Sequence, residues 1–295
     1  MKLGMIGCGA MGAGMVKNFL KSDYEVWTYD PDPMKQQQMK ELGAIPVPVI
    51  NIVAPMLDVI VLSLPLSNLI EDTLVGENGL LHDLKKGAFI LDMSTTDVDS
   101  TKKLAQQAKD VGVHYFDCPV SNGPLGADAG TLTIMVGGEE EHYSAILPVL
   151  QAIGNEIRYI GSAGSGQVVK LCNNMMVAGI MVLLSETLLT GVKAGVDAKK
   201  IAEVMSIGSA QNKVLSVFGP NLVQDTHHNV NFLLSHMAKD VGLYQKLSKS
   251  SETPAFLSSI VEQLFEIAKL QGKGSLDTSA VGQVVELLGN HKITN

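Results

Sequence analysis

In the first half of the chain, short β-like runs rich in apolar residues alternate with polar, helix-like stretches. Lys2–Ile6 and Glu25–Tyr29 are the first two runs; residues 59–64, 88–92, 113–117 and 132–136 continue the series, and 157–160 close it. Short apolar-rich runs bounded by turn residues read as strands buried on both faces. Between them, Pro33–Leu42 and residues 101–110 carry helical spacing. This alternation predicts a mainly parallel sheet covered by helices on both sides, an α/β architecture.

The pattern changes after Gly161. Gly161, Gly164 and Gly166 punctuate a junction, and no alternating strand follows Gln167. Val168, Leu171, Cys172, Met175, Val182 and Leu189 repeat at helical spacing, and residues 171–189 are apolar on nearly every side. Such a helix is expected to be largely buried, joining two domains or forming part of a dimer interface. Residues 198–205, 233–249 and 255–271 also read as helices. The expected division is a dinucleotide-binding domain over 1–163 and a helical C-terminal domain over 164–295, with no internal repeat or low-complexity linker.

The first run leads straight into Gly7-Cys8-Gly9-Ala10-Met11-Gly12, a G-x-G-x-x-G turn followed by a periodic segment and by Asp30 at the end of the second run. Strand, glycine turn, helix, strand and acidic residue form the layout of a dinucleotide-binding unit. Gly7 suits the tight turn, Gly9 leaves room for a pyrophosphate, and Gly12 lets helix and strand pack closely. The helix start, at Ala10 and Met11, supplies free N–H groups and a favourable dipole. Asp30 is expected to bind ribose hydroxyls and repel a 2′-phosphate, with no Arg following to offset it. NAD is therefore favoured, with NADP as the alternative. Leu64-Pro65 and Ser94-Thr95-Thr96 follow later strands, at the sheet edge where ligands bind. The latter trio could equally cap the next helix.

The composition narrows the partners. A net charge of -8 without a long basic tract argues against nucleic acid. Cys8, Cys118 and Cys172 are widely separated, so neither a disulfide framework nor a thiolate metal site is indicated. His227 and His228 are adjacent, the other histidines are scattered, and no H-E-x-x-H occurs. No metal is expected. The start of the chain lacks a signal-peptide pattern, and the most membrane-like stretch, 175–184, is too short to span a bilayer. A soluble cytoplasmic protein is expected, with no membrane partner.

Two further constellations carry chemistry. Asp117-Cys118-Pro119-Val120-Ser121-Asn122-Gly123 opens a glycine-rich stretch that runs to Gly130. Ser121 can exchange a hydrogen bond and Gly123 permits close backbone approach, so a carboxylate could sit there; a purely structural loop fits as well. Lys170 and Asn174 are four apart in an apolar surround and share one helix face. A buried lysine is costly without a partner, and desolvation lowers its pKa toward acid–base use. The alternative is a lysine whose head reaches solvent. Lys239, next to Asp240, is either a cleft residue or a solvated helix-face lysine.

Taken together, Gly7–Gly12, Asp117–Gly130, Gly164–Asn174 and Lys239-Asp240 resemble the β-hydroxyacid dehydrogenase family over most of the chain. The resemblance implies an N-terminal Rossmann-type domain, a long interdomain helix and an all-helical C-terminal domain, usually in dimers or tetramers. It implies Lys170 as the catalytic lysine, Asn174 as its substrate-orienting partner, Ser121 and Gly123 as carboxylate holders, and Lys239 as a cleft residue toward substrate or cofactor. Family members often carry two glycines after the serine; here Asn122 replaces the first, and could narrow the pocket or add a hydrogen bond. The expected reaction is NAD-linked hydride exchange with a small anionic hydroxyacid or semialdehyde, 3-hydroxyisobutyrate to methylmalonate semialdehyde leading. The alternatives are NADPH-linked reduction of glyoxylate or succinic semialdehyde, tartronate semialdehyde reduction, and a nucleotide-responsive binding protein without turnover.

Overall fold

A computed structural model describes residues 1–294. The chain forms two compact units, 1–170 and 171–295. In the first, β1 (Lys2–Ile6), β2 (Glu25–Tyr29), β3 (Ile45–Pro46), β4 (Val59–Leu62), β5 (Phe89–Asp92) and β6 (His114–Asp117) pair in the parallel order β3-β2-β1-β4-β5-β6. β7 (Val120–Ser121) and β8 (Leu132–Gly137) extend the sheet with antiparallel pairing, and β9 (Gly154–Gly161) lies parallel to β8.

Both faces of the sheet are covered, which explains the apolar-rich runs. Leu3, Met5, Val59, Val61, Leu91 and Phe116 enter one core, while Ile6, Ile60, Leu62, Ile90 and Tyr115 enter the other. Successive residues of a strand point to opposite faces, so a central strand such as β4 is apolar and buried at every position. The connecting helices are α1 (Ala10–Lys21), α2 (Pro33–Leu42), α3 (Ser67–Val75), α4 (Val98–Asp110), α5 (Gly123–Ala129) and α6 (Glu140–Gln151).

The 117–130 stretch is not wholly a loop, because α5 occupies its second half. Its glycines and proline conceal the helix; tertiary packing holds it. Asn18 Nδ2 donates to the Ala127 carbonyl at 2.7 Å, and a Cβ at Gly14 would press into the α5 backbone. The strand expected over 59–64 ends at Leu62, since Leu64 N turns away to donate to Ser94 Oγ at 2.9 Å.

α7 (Ser165–Lys193) leads from the first unit into the second. There, α8 (Ala198–Ile207), α9 (Lys213–Gln224), α10 (Leu234–Ser250), α11 (Phe256–Ala268) and α12 (Gly282–Gly289) pack with the rest of α7. Their core includes Met181, Leu188, Leu234, Val241, Phe265 and Val284. α7 is less buried than its composition implied: Met176 and Leu183 are 64% and 63% exposed, so one stripe faces outward. At 29 residues α7 is also long and apolar enough to cross a membrane, unlike the shorter 175–184 stretch alone. Half of its most apolar window is buried inside the protein, as in a core helix.

Candidate active site

Because β1, β4, β5 and β6 are parallel, their carboxyl ends share one edge of the sheet. The strand order reverses between β1 and β4, which opens a crevice at that edge. The glycine turn leaves β1 at this position. Gly7 has φ +91, and a Cβ there would run into the Ser63 carbonyl. A Cβ at Gly12 would strike the Gly7 carbonyl, so α1 packs directly over the turn. At Gly9 a Cβ would meet nothing within 4 Å, leaving open space in front of α1. Gly9 is the N-cap of α1 and makes no side-chain cap bond, so the N–H groups of the first turn, at Ala10 and Met11, are not capped by it. The turn therefore fits a dinucleotide pyrophosphate, held by backbone donors and the helix dipole.

Asp30 plays a more structural part than its position suggested. Cys8 N donates to its Oδ2 at 2.8 Å and Asp32 N to its Oδ1 at 2.9 Å, so the carboxylate ties the glycine turn to β2. Each oxygen retains acceptor capacity for a ribose hydroxyl. Lys35 Nζ lies 3.7 Å from Oδ1, a cation that linear inspection for an arginine overlooked. Tyr29, Asp30, Pro31, Gln36, Gln37 and Lys40 line a groove beside this turn. Burial, then the neighbouring Asp30 charge, pushes the Cys8 thiol up to about 12, so it stays protonated.

The later edge loops are joined by a buried polar network. Leu64 and Pro65 follow β4, and Ser94-Thr95-Thr96 follow β5. Ser94 Oγ accepts from Leu64 N, and Asp97, not the trio, caps α4 by accepting from Ser100 N at 2.9 Å. Gln167, fully buried on α7, donates to the Ser94 carbonyl at 2.9 Å and accepts from Thr96 N at 3.1 Å. Asp117, at the end of β6, accepts from Gly164 N at 2.8 Å and Gln167 N at 2.9 Å. A Cβ at Gly137 or Gly166 would collide with the Asp117 carboxylate. Burial holds that carboxyl above the usual range, opposed by its backbone donors. Asp117 thus anchors the start of α7 at the carboxyl edge. Lys170, 7% exposed, lies one turn beyond Gln167.

Ser121 is half-buried at the end of β7. Asn122 has φ 86 and Gly123 φ 59, so the chain turns through the left-handed region before α5. Asparagine tolerates this conformation better than most residues. Its Nδ2 donates to Thr131 O at 3.0 Å and Thr133 Oγ1 at 3.3 Å. The side chain is thereby tied back to the start of β8.

In the second unit, Asn174 Nδ2 donates to Asp240 Oδ2 at 2.6 Å, and Asn174 Oδ1 accepts from Asn173 Nδ2 at 3.0 Å. These partners fix the amide orientation. Asp240 is 2% exposed, and Lys239 Nζ lies 3.0 Å from its Oδ1, near enough to pair electrostatically but off the hydrogen-bond direction. Lys239 is therefore neither fully solvated nor simply a helix-face charge. Asp117, Gln167 and Asp240 were not among the expected site residues. Asp117 and Asp240 stand inside two of the quoted motifs, and a charged residue in an apolar setting was their only sequence signal.

Residues 2–161 match the NAD binding domain of 6-phosphogluconate dehydrogenase, and residues 164–285 match the NAD-binding domain of NADP-dependent 3-hydroxyisobutyrate dehydrogenase. The 2-hydroxy-3-oxopropionate reductase of Escherichia coli strain K12 is 33% identical over 99% of this chain and 100% of its own length. The chain belongs to the β-hydroxyacid dehydrogenase family. The 2-(hydroxymethyl)glutarate dehydrogenase of Eubacterium barkeri is 35% identical over 97% of this chain and 95% of its own. Among solved structures, Mycobacterium tuberculosis 3-hydroxyisobutyrate dehydrogenase with L-serine superposes with TM-score 0.87 at 26% identity, covering 96% of this chain and 98% of that one. The protein is thus an oxidoreductase with an NAD(P)-binding Rossmann-like domain, as β-hydroxyacid dehydrogenases are.

Proposed function

We propose that this β-hydroxyacid dehydrogenase transfers hydride between NAD and a small hydroxyacid, with 3-hydroxyisobutyrate and methylmalonate semialdehyde as its leading pair. Lys170 carries the proposal: a buried lysine on a helix anchored by Asp117 at the strand edge that also bears the glycine turn. When bound, the nicotinamide supplies the hydride acceptor or donor. In oxidation, Lys170 Nζ takes the hydroxyl proton as the C–H electron pair leaves and the carbonyl forms. In reduction it returns that proton to the carbonyl oxygen. Ser121 Oγ and the Gly123 N–H hold the substrate carboxylate. Asn174, kept rigid by Asp240 and Asn173, retains one amide hydrogen for the substrate oxygen. Lys239 adds positive charge for an anionic ligand.

NAD is proposed over NADP because the Asp30 carboxylate lines the groove beside the glycine turn; Lys35 offsets part of that charge. A second reading, reduction of 2-hydroxy-3-oxopropionate (tartronate semialdehyde), is favoured by the full-length similarity to the Escherichia coli enzyme of that name. The proposal extends to a soluble cytoplasmic homodimer or homotetramer, which light scattering of the purified protein would test.

The deciding assay is initial-rate nicotinamide absorbance across 3-hydroxyisobutyrate, 3-hydroxypropionate, glycerate, tartronate semialdehyde, succinic semialdehyde and glyoxylate, with each cofactor. The highest kcat/KM is expected for 3-hydroxyisobutyrate with NAD. A preference for tartronate semialdehyde would select the second reading, and a preference for NADPH would overturn the Asp30 argument. Lys170→Ala is expected to lower kcat by about 100- to 10,000-fold while leaving NAD affinity near wild type. Undiminished turnover would refute the acid–base role.

A further inference from the structure

At the edge of the sheet opposite the glycine turn, the fold brings His114 to Glu139 and His142, two side chains three apart at the start of one helix. His114 begins β6, roughly 10 Å along the strand from Asp117. Glu139 is the N-cap of α6 and His142 lies in its first turn. Antiparallel pairing of Asp117 with Gly137 brings the end of β8 back along β6, which places Glu139 beside His114. His114 Nδ1 is 3.1 Å from Glu139 Oε2, and His142 Nε2 is 4.0 Å from the same oxygen. The imidazole centroids are 3.8 Å apart, and a ligand atom from each of the three residues lies within 4.8 Å of the others.

We infer that His114, Glu139 and His142 form a binding site for a divalent transition-metal ion of the zinc class. A tetrahedral ion with ligand bonds of about 2.0–2.1 Å sets its donors about 3.3 Å apart, between the two spacings observed here. Two imidazoles and one carboxylate suit zinc and its neighbours, not calcium or magnesium. Lys109 Nζ holds Glu139 Oε1 at 2.6 Å, leaving Oε2 as the oxygen turned to both rings. The Phe89 ring packs against His114 at 5.2 Å and His142 at 6.3 Å, limiting ring motion. Water would complete the shell around these three ligands. All three residues are partly exposed, so an ion can enter from solvent. The ion would clip β6 to the start of α6, away from the cofactor edge.

Zinc titration of chelator-treated, full-length protein by calorimetry tests this inference. One zinc per chain is expected at micromolar affinity or tighter, with affinity reduced about tenfold or more in His142→Ala and in His114→Gln, which keeps a donor to Glu139. Nicotinamide-linked turnover should be unchanged in both variants. Zinc K-edge absorption of wild type should show nitrogen and oxygen ligands without sulfur, separating this site from the exposed Cys172. Equal zinc affinity in wild type and both variants, a sulfur-ligated ion, or no binding to wild type would each overturn the assignment.

Discussion

Replacing Asp117 tests how the first unit positions Lys170. In Asp117→Ala the buried N–H groups of Gly164 and Gln167 lose their acceptor. Each unsatisfied buried donor costs about 1–3 kcal/mol. Removing a desolvated carboxylate, whose pKa burial has already raised, returns part of that cost. The net loss is expected at about 3 kcal/mol. Asp117→Asn keeps one acceptor oxygen but turns an NH2 group toward the other donor, and should lose about 1–2 kcal/mol. The only tryptophan, Trp27, is 5% exposed in β2, so its fluorescence during urea unfolding reports the first unit. Hydrogen exchange at the Gly164 and Gln167 amides supplies the local readout, with protection falling in both variants and more in the alanine. Turnover should fall with it, because α7 carries Lys170 one turn beyond Gln167. Variants within about 0.5 kcal/mol of wild type, with unchanged protection of the two amides, would refute this account.

The same fluorescence assay serves Asp92, which accepts from Tyr115 Oη at 2.8 Å and Ser94 N at 3.0 Å. Burial, partly offset by these hydrogen bonds, raises its pKa to about 6. The folded state then binds more protons than the unfolded state between about pH 4 and 6, so this group's contribution is lost as pH rises through that window. The loss is about 3 kcal/mol, and Asp92→Asn should flatten that part of the profile; an unaltered slope would contradict the assignment. In the second unit, Asn174→Ala leaves the buried Asp240 carboxylate without its 2.6 Å donor and should cost about 1.5–3 kcal/mol. An unchanged calorimetric transition for that unit would remove Asp240 as the anchor of Asn174.

The amino-acid sequence determined the elements whose periodicity is carried by local burial. The apolar-rich runs at Lys2–Ile6 and 59–62 give strands because a parallel sheet covered on both faces buries side chains on both. The glycine turn was legible for a similar reason: Gly7 and Gly12 occupy positions where a Cβ has no space. Packing between distant segments decided the rest. α5 exists despite its glycines and proline because Asn18 and Gly14 receive it. α6 and α9 contain Pro148 and Pro220, which obscure a helical pattern that tertiary contacts sustain. Hydrogen-bond partners were beyond linear reading as well. Asp117 reaches Gly164 across 47 residues and Gln167 across 50, and Asp240 reaches Asn174 across 66. Pattern along a chain reports which face a residue buries; only the folded backbone brings a carboxylate within bonding distance of a particular donor.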